Sequence, residues 1–268
     1  MPPSNGRRLA LAGLLTASAG AIAYGTFDLL QSRGRRTKQQ ALQDERRRLI
    51  ESIKPLKTEG MIGRIGLPAF LTYWNGNVLD RLKKARFKPD RVQTEILRSN
   101  TIFEPPAKPE EIAAAEHRVG LQFPASLRAF FLQTNGVKAI IGDDLATPDI
   151  LSCQKLTWLS DVDPGLVDIW NKETLLVSNE DYFQYDERQD PVNMRAEYMK
   201  HALALSPIVE SGVYLLNPQI TFPDGEMEAW DFSVKYPGAK RYRSFNGLLE
   251  AHCTRACSSI DYWSISAE

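Results

Sequence analysis

The sequence predicts an α+β fold: a mostly antiparallel sheet with packed helices, preceded by a hydrophobic helix and a polar helical stalk. Three observations favour this class. Helical patterns dominate up to residue 137, residues 138–234 contain five short apolar or alternating runs, and a helical pattern returns near Phe245. Blocks of strands and blocks of helices that do not alternate are typical of α+β proteins.

Composition and charge limit the classes of function that are open to this protein. The 268 residues are 43% hydrophobic and 25% charged, which is ordinary for a globular protein. Residues 1–48 carry nine Lys and Arg against three acids, and the remaining residues carry 24 basic and 30 acidic groups. Because nucleic-acid binding needs a clearly basic face, we expect no nucleic-acid partner for the acidic remainder.

The first 36 residues are predicted to form a membrane anchor or a mitochondrial presequence. The 19 residues from Leu9 to Phe27 carry no charge, close to the roughly 20 that span a bilayer. Only six of them are Leu, Ile or Phe, contributing roughly −2 to −4 kcal/mol to insertion. The basic flank after Phe27 disfavours a secretory signal and places the following domain on the cytoplasmic or matrix side. Retention as an anchor and cleavage as a presequence both stay open.

Residues 37–60 are predicted to be a charged helical linker, and residues 61–268 a single globular domain. From Thr37 to Ile53 a narrow apolar stripe runs along a heavily charged helix, which Pro55 and Gly60 end. A further helix opens at Pro89. We expect its buried face to hold Val92, Ile96 and Leu97.

The clearest local pattern is a helical hairpin. In "KPEEIAAAEHRVG", Pro109 suits the first helical position and Gly120 ends the helix. In "LQFPASLRAFFLQTNG", Pro124 opens a second helix and Asn135-Gly136 closes it. The apolar sides of the pair hold Ile112, Ala115, Val119, Leu127, Phe130 and Phe131.

The strand candidates are short runs between turn residues. They are "KAII" (138–141), "TLLV" (174–177), "LALSPIV" (203–209), "VYLLN" (213–217) and "EAWDFSV" (228–234). Alternation in the last run places Trp230 and Phe232 on one side, which we expect to be buried. Pro237-Gly238 is predicted to be a turn, and "SFNGLLEAHCTRA" a terminal helix.

Familiar catalytic patterns are missing from the sequence. It contains no GxxxxGK[ST], GxGxxG, HExxH or GxSxG motif. Asp143-Asp144 and the pair Glu226 and Glu228 lie among turn residues, so we interpret them as solvated acids rather than acid/base dyads. We expect no catalytic residues and no cofactor. An enzyme that uses Cys153 or a carboxylate pair stays as a third hypothesis.

The three cysteines, Cys153, Cys253 and Cys257, are too few for a disulfide framework and are typical of a reducing compartment. Cys253 and Cys257 stand beside His252, which offers three metal ligands at most. Because structural zinc takes four ligands, we interpret these residues as part of a helix face and expect no metal.

The run "PPAKPEEIAAAEHRVGLQFPASLRAFFLQTNG" resembles the opening pattern of the SUKH superfamily, which includes fungal cell-wall-assembly regulators and bacterial immunity proteins. The residues that carry the resemblance are Ile112, Glu116, Gly120, Leu121, Phe123, Pro124, Phe130, Phe131, Asn135 and Gly136. "VYLLNP", "GEMEAWDF" and "SFNGLLEAH" resemble the family's closing part, so the likeness covers residues 104–253.

The resemblance implies a non-catalytic protein-binding domain without a universal partner. With the N-terminal segment, it predicts an adaptor or scaffold tethered to or targeted at a membrane or mitochondrion. The alternative is an immunity protein that neutralises a toxin by direct binding. In the acidic domain we interpret Lys240, Arg241 and Arg243 as solvated. Tyr236, Arg241 and Arg243 are the candidate partner surface.

Overall fold

The computed structural model describes residues 60–140, 148–172, 176–185, 187–210, 212–235 and 237–266, with scattered positions between 40 and 51. The chain divides into two units, residues 1–52 and 53–268. In the first unit the described positions are helical, and Gln40 Nε2 lies 3.4 Å from Asp44 Oδ1. The charged linker 37–60 stays a prediction. The predicted hydrophobic helix from Leu9 to Phe27 lies outside the described residues. None of the helices described has the length and apolar character needed to cross a membrane.

The second unit is an α+β domain, as predicted. Its helices are α1 (Met61–Ile65), α2 (Leu67–Lys84), α3 (Arg91–Ser99), α4 (Pro109–Val119), α5 (Ala125–Gln133), α6 (Leu159–Val162), α7 (Pro164–Lys172), α8 (Asn179–Tyr182) and α9 (Phe245–Ser266). Two 3-10 helices span Cys153–Lys155 and Ala196–His201. The strands are β1 (Thr157–Trp158), β2 (Leu203–Ala204), β3 (Gly212–Thr221), β4 (Met227–Ser233) and β5 (Gly238–Tyr242).

The predicted helical hairpin is confirmed. Pro109 occupies the first turn of α4, and Gly120 ends it in the left-handed conformation with φ of +68°. This conformation suits glycine because it has no Cβ. Pro124 is the N-cap of α5, whose Leu127, Phe130 and Phe131 are fully buried. Local capping and periodicity therefore specify this part of the fold.

The five strands form one antiparallel sheet in the order β1-β2-β3-β4-β5. Because opposed residues in an antiparallel pair share a face, the register assigns every side chain to a side. Tyr214 opposes Asp231 on the first face, and Leu215 opposes Trp230 on the second. Arg241 of β5 opposes Trp230 and so belongs to the second face as well.

Both faces of the sheet are covered. On the first face α9 packs against β4 and α2, and Arg255 of α9 forms an ion pair with Asp231. On the second face the segment between β1 and β2 packs against the sheet, with Trp170 of α7 edge-on to Phe232 at 5.1 Å. Trp230 and Phe232 are buried as predicted, and Asp231 on the opposite face is buried too. The domain thus has three layers.

Three strand predictions need correction. Of the run 138–141, residues 138–140 are described and form no strand, while the neighbouring Val137 makes isolated bridges to Phe103 and Ile150. Leu176 and Val177 of the run 174–177 have no regular structure, and Leu176 is fully exposed. Of 203–209 only Leu203–Ala204 is a strand. Conversely, no strand was predicted after the turn at Pro237, yet Gly238–Tyr242 forms β5.

Candidate functional site

Of the three residues of the predicted partner surface, two are described by the structure, and they differ in burial. Tyr236 lies outside the described residues. Arg243 is half-buried, with its guanidinium 4.6 Å from the ring centroid of Phe222 and an ion pair to Asp224 at 2.8 Å. Arg241 is 1% exposed. The partner surface stays a prediction, and in the free domain Arg241 cannot belong to its contact area.

Burial of Arg241 follows from the register of β5, which turns its side chain toward the covered second face. The guanidinium lies 4.7 Å from the ring centroid of Tyr182 and donates to the Tyr182 carbonyl oxygen at 3.0 Å. A second donor nitrogen lies 3.4 Å from the Ala239 carbonyl oxygen. The expectation that Arg241 is solvated is therefore wrong. A buried guanidinium needs acceptors and a counter-charge.

Glu228 is a fully buried acid on the same covered face of the sheet as Arg241. Its carboxylate accepts hydrogen bonds from Tyr182 Oη at 2.7 Å, Tyr185 Oη at 2.7 Å, Asn217 Nδ2 at 2.9 Å and Trp230 Nε1 at 2.6 Å. Burial, and then the negative charge of Glu228, raise the pKa of both tyrosines well above the usual range. Four donors on one buried carboxylate make this cluster a structural network.

The interpretation of Glu226 and Glu228 as solvated turn acids is corrected as well. Glu226 accepts the Ser126 backbone N–H at 3.0 Å and the Ser126 hydroxyl, at the N-terminus of α5. A carboxylate there satisfies an unpaired N–H and complements the helix dipole. Glu226 therefore bonds to the N-terminus of α5, whereas Glu228 joins β3 and β4 to the segment that covers the sheet. Glu228 lies two residues before Trp230, so alternation along β4 was the signal that could have identified it as buried.

The outer edge of β5 is also closed. Gln189 donates to the Arg241 carbonyl oxygen at 2.9 Å and accepts the Arg241 N–H at 2.6 Å, while the Ala239 N–H donates to Pro191 at 3.0 Å. The approach is so close that a Cβ on Gly238 would lie 2.1 Å from the Pro191 carbonyl oxygen. An edge covered in this way cannot pair with a partner's strand.

An open, polar groove of about 710 Å³ lies at the Asn-Gly turn of the hairpin. Its walls are the connector 104–106, the turn 135–139, the segment 149–155 and the side chain of Glu111. Residues 141–147, which join Ile140 to Pro148 and include Asp143-Asp144, lie outside the described residues.

Side-chain hydrogen bonds hold the groove walls together. Asn135 Nδ2 donates to Gln154 Oε1 at 2.9 Å, and Asn135 Oδ1 accepts the Cys153 N–H at 2.9 Å. Gln154 Nε2 then donates to Glu111 Oε1 at 3.1 Å. This chain joins α4, the turn after α5 and the first 3-10 helix, so the groove is preformed rather than assembled by a partner.

The groove carries charges of both signs. Glu104, Glu111 and Asp149 supply acids, and Lys138 and Lys155 supply bases. Burial raises the pKa of Asp149 from its ordinary value, and Lys155 partly opposes that shift. Gln154 and Lys155 are exposed at the rim. The arrangement suits a polar protein segment that offers hydrogen-bonding and charged groups, and the sequence alone did not indicate it.

The residues considered for a metal do not converge. His252 is 1% exposed, its Nδ1 lies 3.0 Å from Tyr214 Oη, and its ring packs against Trp74. Burial lowers the pKa of His252 to about 3. Cys253 and Cys257 instead line a separate cavity between α2 and α9. Over the described ranges, no three or more His, Cys, Asp or Glu side chains gather where they could hold a metal.

Comparison with known protein families gives a match. The sequence model of the SMI1 / KNR4 family (SUKH-1) matches residues 106–251, more than half of the chain. The match includes most of the groove walls, both halves of the hairpin and strands β1 to β5. No curated protein and no solved structure matches the chain.

Proposed function

Because this chain belongs to the SMI1 / KNR4 family (SUKH-1), we propose that it is a non-catalytic protein-interaction module, an adaptor or scaffold, that binds its partner in the polar groove. The observation that carries the proposal is the groove itself. It is open, its walls are joined by side-chain hydrogen bonds, and most of them lie inside the matched residues.

The covered edge of β5 supports the choice of the groove, because an open strand edge would be an alternative binding surface. A partner strand cannot add to β5, because Gln189 and Pro191 occupy its edge. The network around Glu228 is likewise enclosed. The groove presents exposed polar groups that can pair with a partner without rearrangement, and preformed binding surfaces lose less free energy to ordering.

The groove assignment is tested by site-specific photocrosslinking in the full chain. A photoreactive amino acid replaces Val92, an exposed lining residue of the groove outside the hydrogen-bond chain, or, as a control, exposed Lys240 on β5. We expect a specific crosslinked partner from position 92 and none from position 240. Binding of that purified partner should then weaken in Lys155→Glu and persist in Lys240→Glu.

Two results would contradict this proposal. Crosslinking at position 240 without crosslinking at position 92 would place the partner on the β5 side, near the surface predicted from Arg243. A partner that is a nuclease or deaminase inhibited by the chain would instead identify an immunity protein.

We also propose that residues 1–36 tether the domain to a membrane or deliver it to a mitochondrion, with the domain on the cytoplasmic or matrix side. The proposal rests on the uncharged run from Leu9 to Phe27 and its basic flanks. It explains why an acidic interaction domain follows a strongly basic segment.

Deletion of residues 1–36 tests the tether. The shortened chain should move from the membrane or mitochondrial fraction to the soluble fraction. Leu14→Arg keeps the length and should reduce membrane retention, because a central Arg costs about 2.5–3.5 kcal/mol of insertion free energy. Unchanged fractionation of both variants would exclude this role for the segment, and proximity labelling of the full chain would identify the compartment.

A further inference from the structure

The loop that joins α2 to α3 is a basic segment in an acidic domain. This basic loop, residues 83–91, reads KKARFKPDR and contains five cations and one acid. Residues 49–268 contain 24 cations in all, an average of about one in nine residues. Every cation of the loop is exposed, namely Lys83, Lys84, Arg86, Lys88 and Arg91. The loop therefore concentrates positive charge where a partner can reach it.

The fold leaves most of this charge uncompensated. Asp90, the acid of the loop, is the N-cap of α3, and its carboxylate accepts the Gln93 N–H at 2.7 Å. Among the residues that the structure describes, four of the cations form no ion pair, namely Lys83, Lys84, Lys88 and Arg91. Helix stability does not account for Arg91 either, because a cation at the first residue of a helix meets the positive end of the dipole.

The backbone that carries the cations is fixed at three points. The Ala85 N–H donates to the Leu82 carbonyl oxygen at 3.3 Å and ends α2. Phe87, in the middle of the loop, packs against the hydrophobic core. The capping box of Asp90 and Gln93 begins α3. Since the loop is already ordered, its contact with an anionic surface costs little backbone entropy.

The charge of the rest of the domain selects the kind of partner. Residues 49–268 carry 30 acidic and 24 basic groups, so a long polyanion such as nucleic acid is repelled beyond the loop. A flat bilayer needs contact with the loop alone, and anionic lipids of the cytoplasmic leaflet attract polybasic segments.

We propose that the basic loop docks on anionic phospholipid headgroups of the bilayer to which residues 1–36 tether the chain. This docking rests on the proposed tether, which brings the loop to the surface. Each cation near such a surface strengthens binding about five-fold. A polybasic patch alone binds reversibly and stable anchoring takes a second signal, so loss of the tether still releases the domain. Docking gives the tethered domain one orientation at the bilayer.

The test is lysine labelling of the full chain, reconstituted into vesicles of phosphatidylcholine alone or with about 30% phosphatidylserine. A membrane-impermeant amine-reactive reagent modifies exposed lysines, and mass spectrometry compares Lys83, Lys84 and Lys88 with exposed Lys108 and Lys172 of the same molecules. In anionic vesicles the loop lysines should react at least about five-fold more slowly relative to the other two. Salt at about 0.5 M should remove this protection, because it screens exposed charges beyond about 4 Å.

Removal of two cations tests whether charge causes the protection. Lys84→Gln with Lys88→Gln should weaken docking about 25-fold and restore the labelling of Lys83. Lys200→Gln with Lys240→Gln removes the same charge elsewhere and should leave Lys83 protected. All four substituted side chains are exposed, so both variants should unfold at the temperature of the unmodified chain.

Flotation of the same vesicles separates the docking from the tether. If the chain floats with both vesicle types and the loop lysines react equally in both, the tether stands and the docking is overturned. If the chain floats only with anionic vesicles and salt releases it, the docking stands and the tether is wrong. A chain that floats with neither overturns both. Protection of the loop lysines by a DNA duplex but not by anionic vesicles would overturn the docking in favour of nucleic acid.

Discussion

At the scale of single residues, the main result is that two charges on neighbouring strands are structural. Glu228 and Arg241 both project onto the second face of the sheet, and Tyr182 touches both, through its hydroxyl and its ring. Coverage by the segment between β1 and β2 buries them. Their surroundings supply donors for the acid and acceptors for the base, which is the condition under which buried charge is tolerated.

Neighbouring positions on β5 provide a direct test of this difference. Arg241→Met should lower the free energy of unfolding by about 1–3 kcal/mol, because it leaves the buried carbonyl oxygens of Tyr182 and Ala239 without this donor. Lys240→Met is the control on the same strand, and since Lys240 is exposed we expect little change. Urea denaturation measures both. Equal effects of the two substitutions would show that Arg241 is not buried as described.

At the scale of elements, β5 shows how an edge strand is protected. Its outward-facing backbone groups bond to the side chain of Gln189 and the carbonyl oxygen of Pro191. Exposed edges invite pairing with other chains, and a covering loop prevents it. The same loop approaches so closely that Gly238, with φ of +152°, has no room for a side chain.

Removal of this cover should open the edge. Gln189→Ala deletes both hydrogen bonds to the Arg241 backbone, so amide hydrogen exchange at Arg241 should accelerate, and the tendency of the domain to self-associate should rise. Gln184→Ala is the control, because its side chain bonds to the exposed Glu180 carbonyl oxygen and not, among the described residues, to β5. Exchange at Arg241 that is equally slow in both variants would contradict the role of Gln189.

At the scale of the whole molecule, acid stability depends on a histidine between helix and sheet. His252 connects α9 to β3 through Tyr214 and packs on Trp74 of α2. Burial lowers its pKa from 6.5 to about 3, so the folded domain keeps it neutral. In the unfolded chain it gains a proton below pH 6.5. Stability is therefore complete above that pH and declines as the pH falls toward 3.

The size of this effect is measurable against a variant that cannot titrate. Between pH 7 and pH 5 the free energy of unfolding should fall by about 2 kcal/mol more in the unmodified chain than in His252→Phe, since each pH unit below 6.5 contributes about 1.36 kcal/mol. Phe keeps the ring contacts, and the comparison cancels all other titrating groups. Identical pH profiles by urea denaturation would show that His252 is protonated in the folded state.

The sequence by itself determined the α+β class, the helical hairpin with its Pro109, Gly120 and Pro124 boundaries, β3, β4 and the start of α9. These follow from capping, glycine conformation and periodicity, which act over a few residues. The family resemblance rested on the same local motifs, and the family match confirms it.

Only the tertiary structure decided which charges are buried and where a partner has access. Arg241 meets Tyr182 across 59 residues of chain, Gln189 covers β5 across 52, and the groove joins Glu111 to Gln154 across 43. Alternation along β4 indicates that Glu228 shares the buried side of Trp230, but no sequence pattern shows that Arg241 lies on a further strand and faces the same covered side. Arg241, which was predicted to be exposed, is therefore buried. No sequence pattern indicated the groove, because its walls come from segments that only folding brings together.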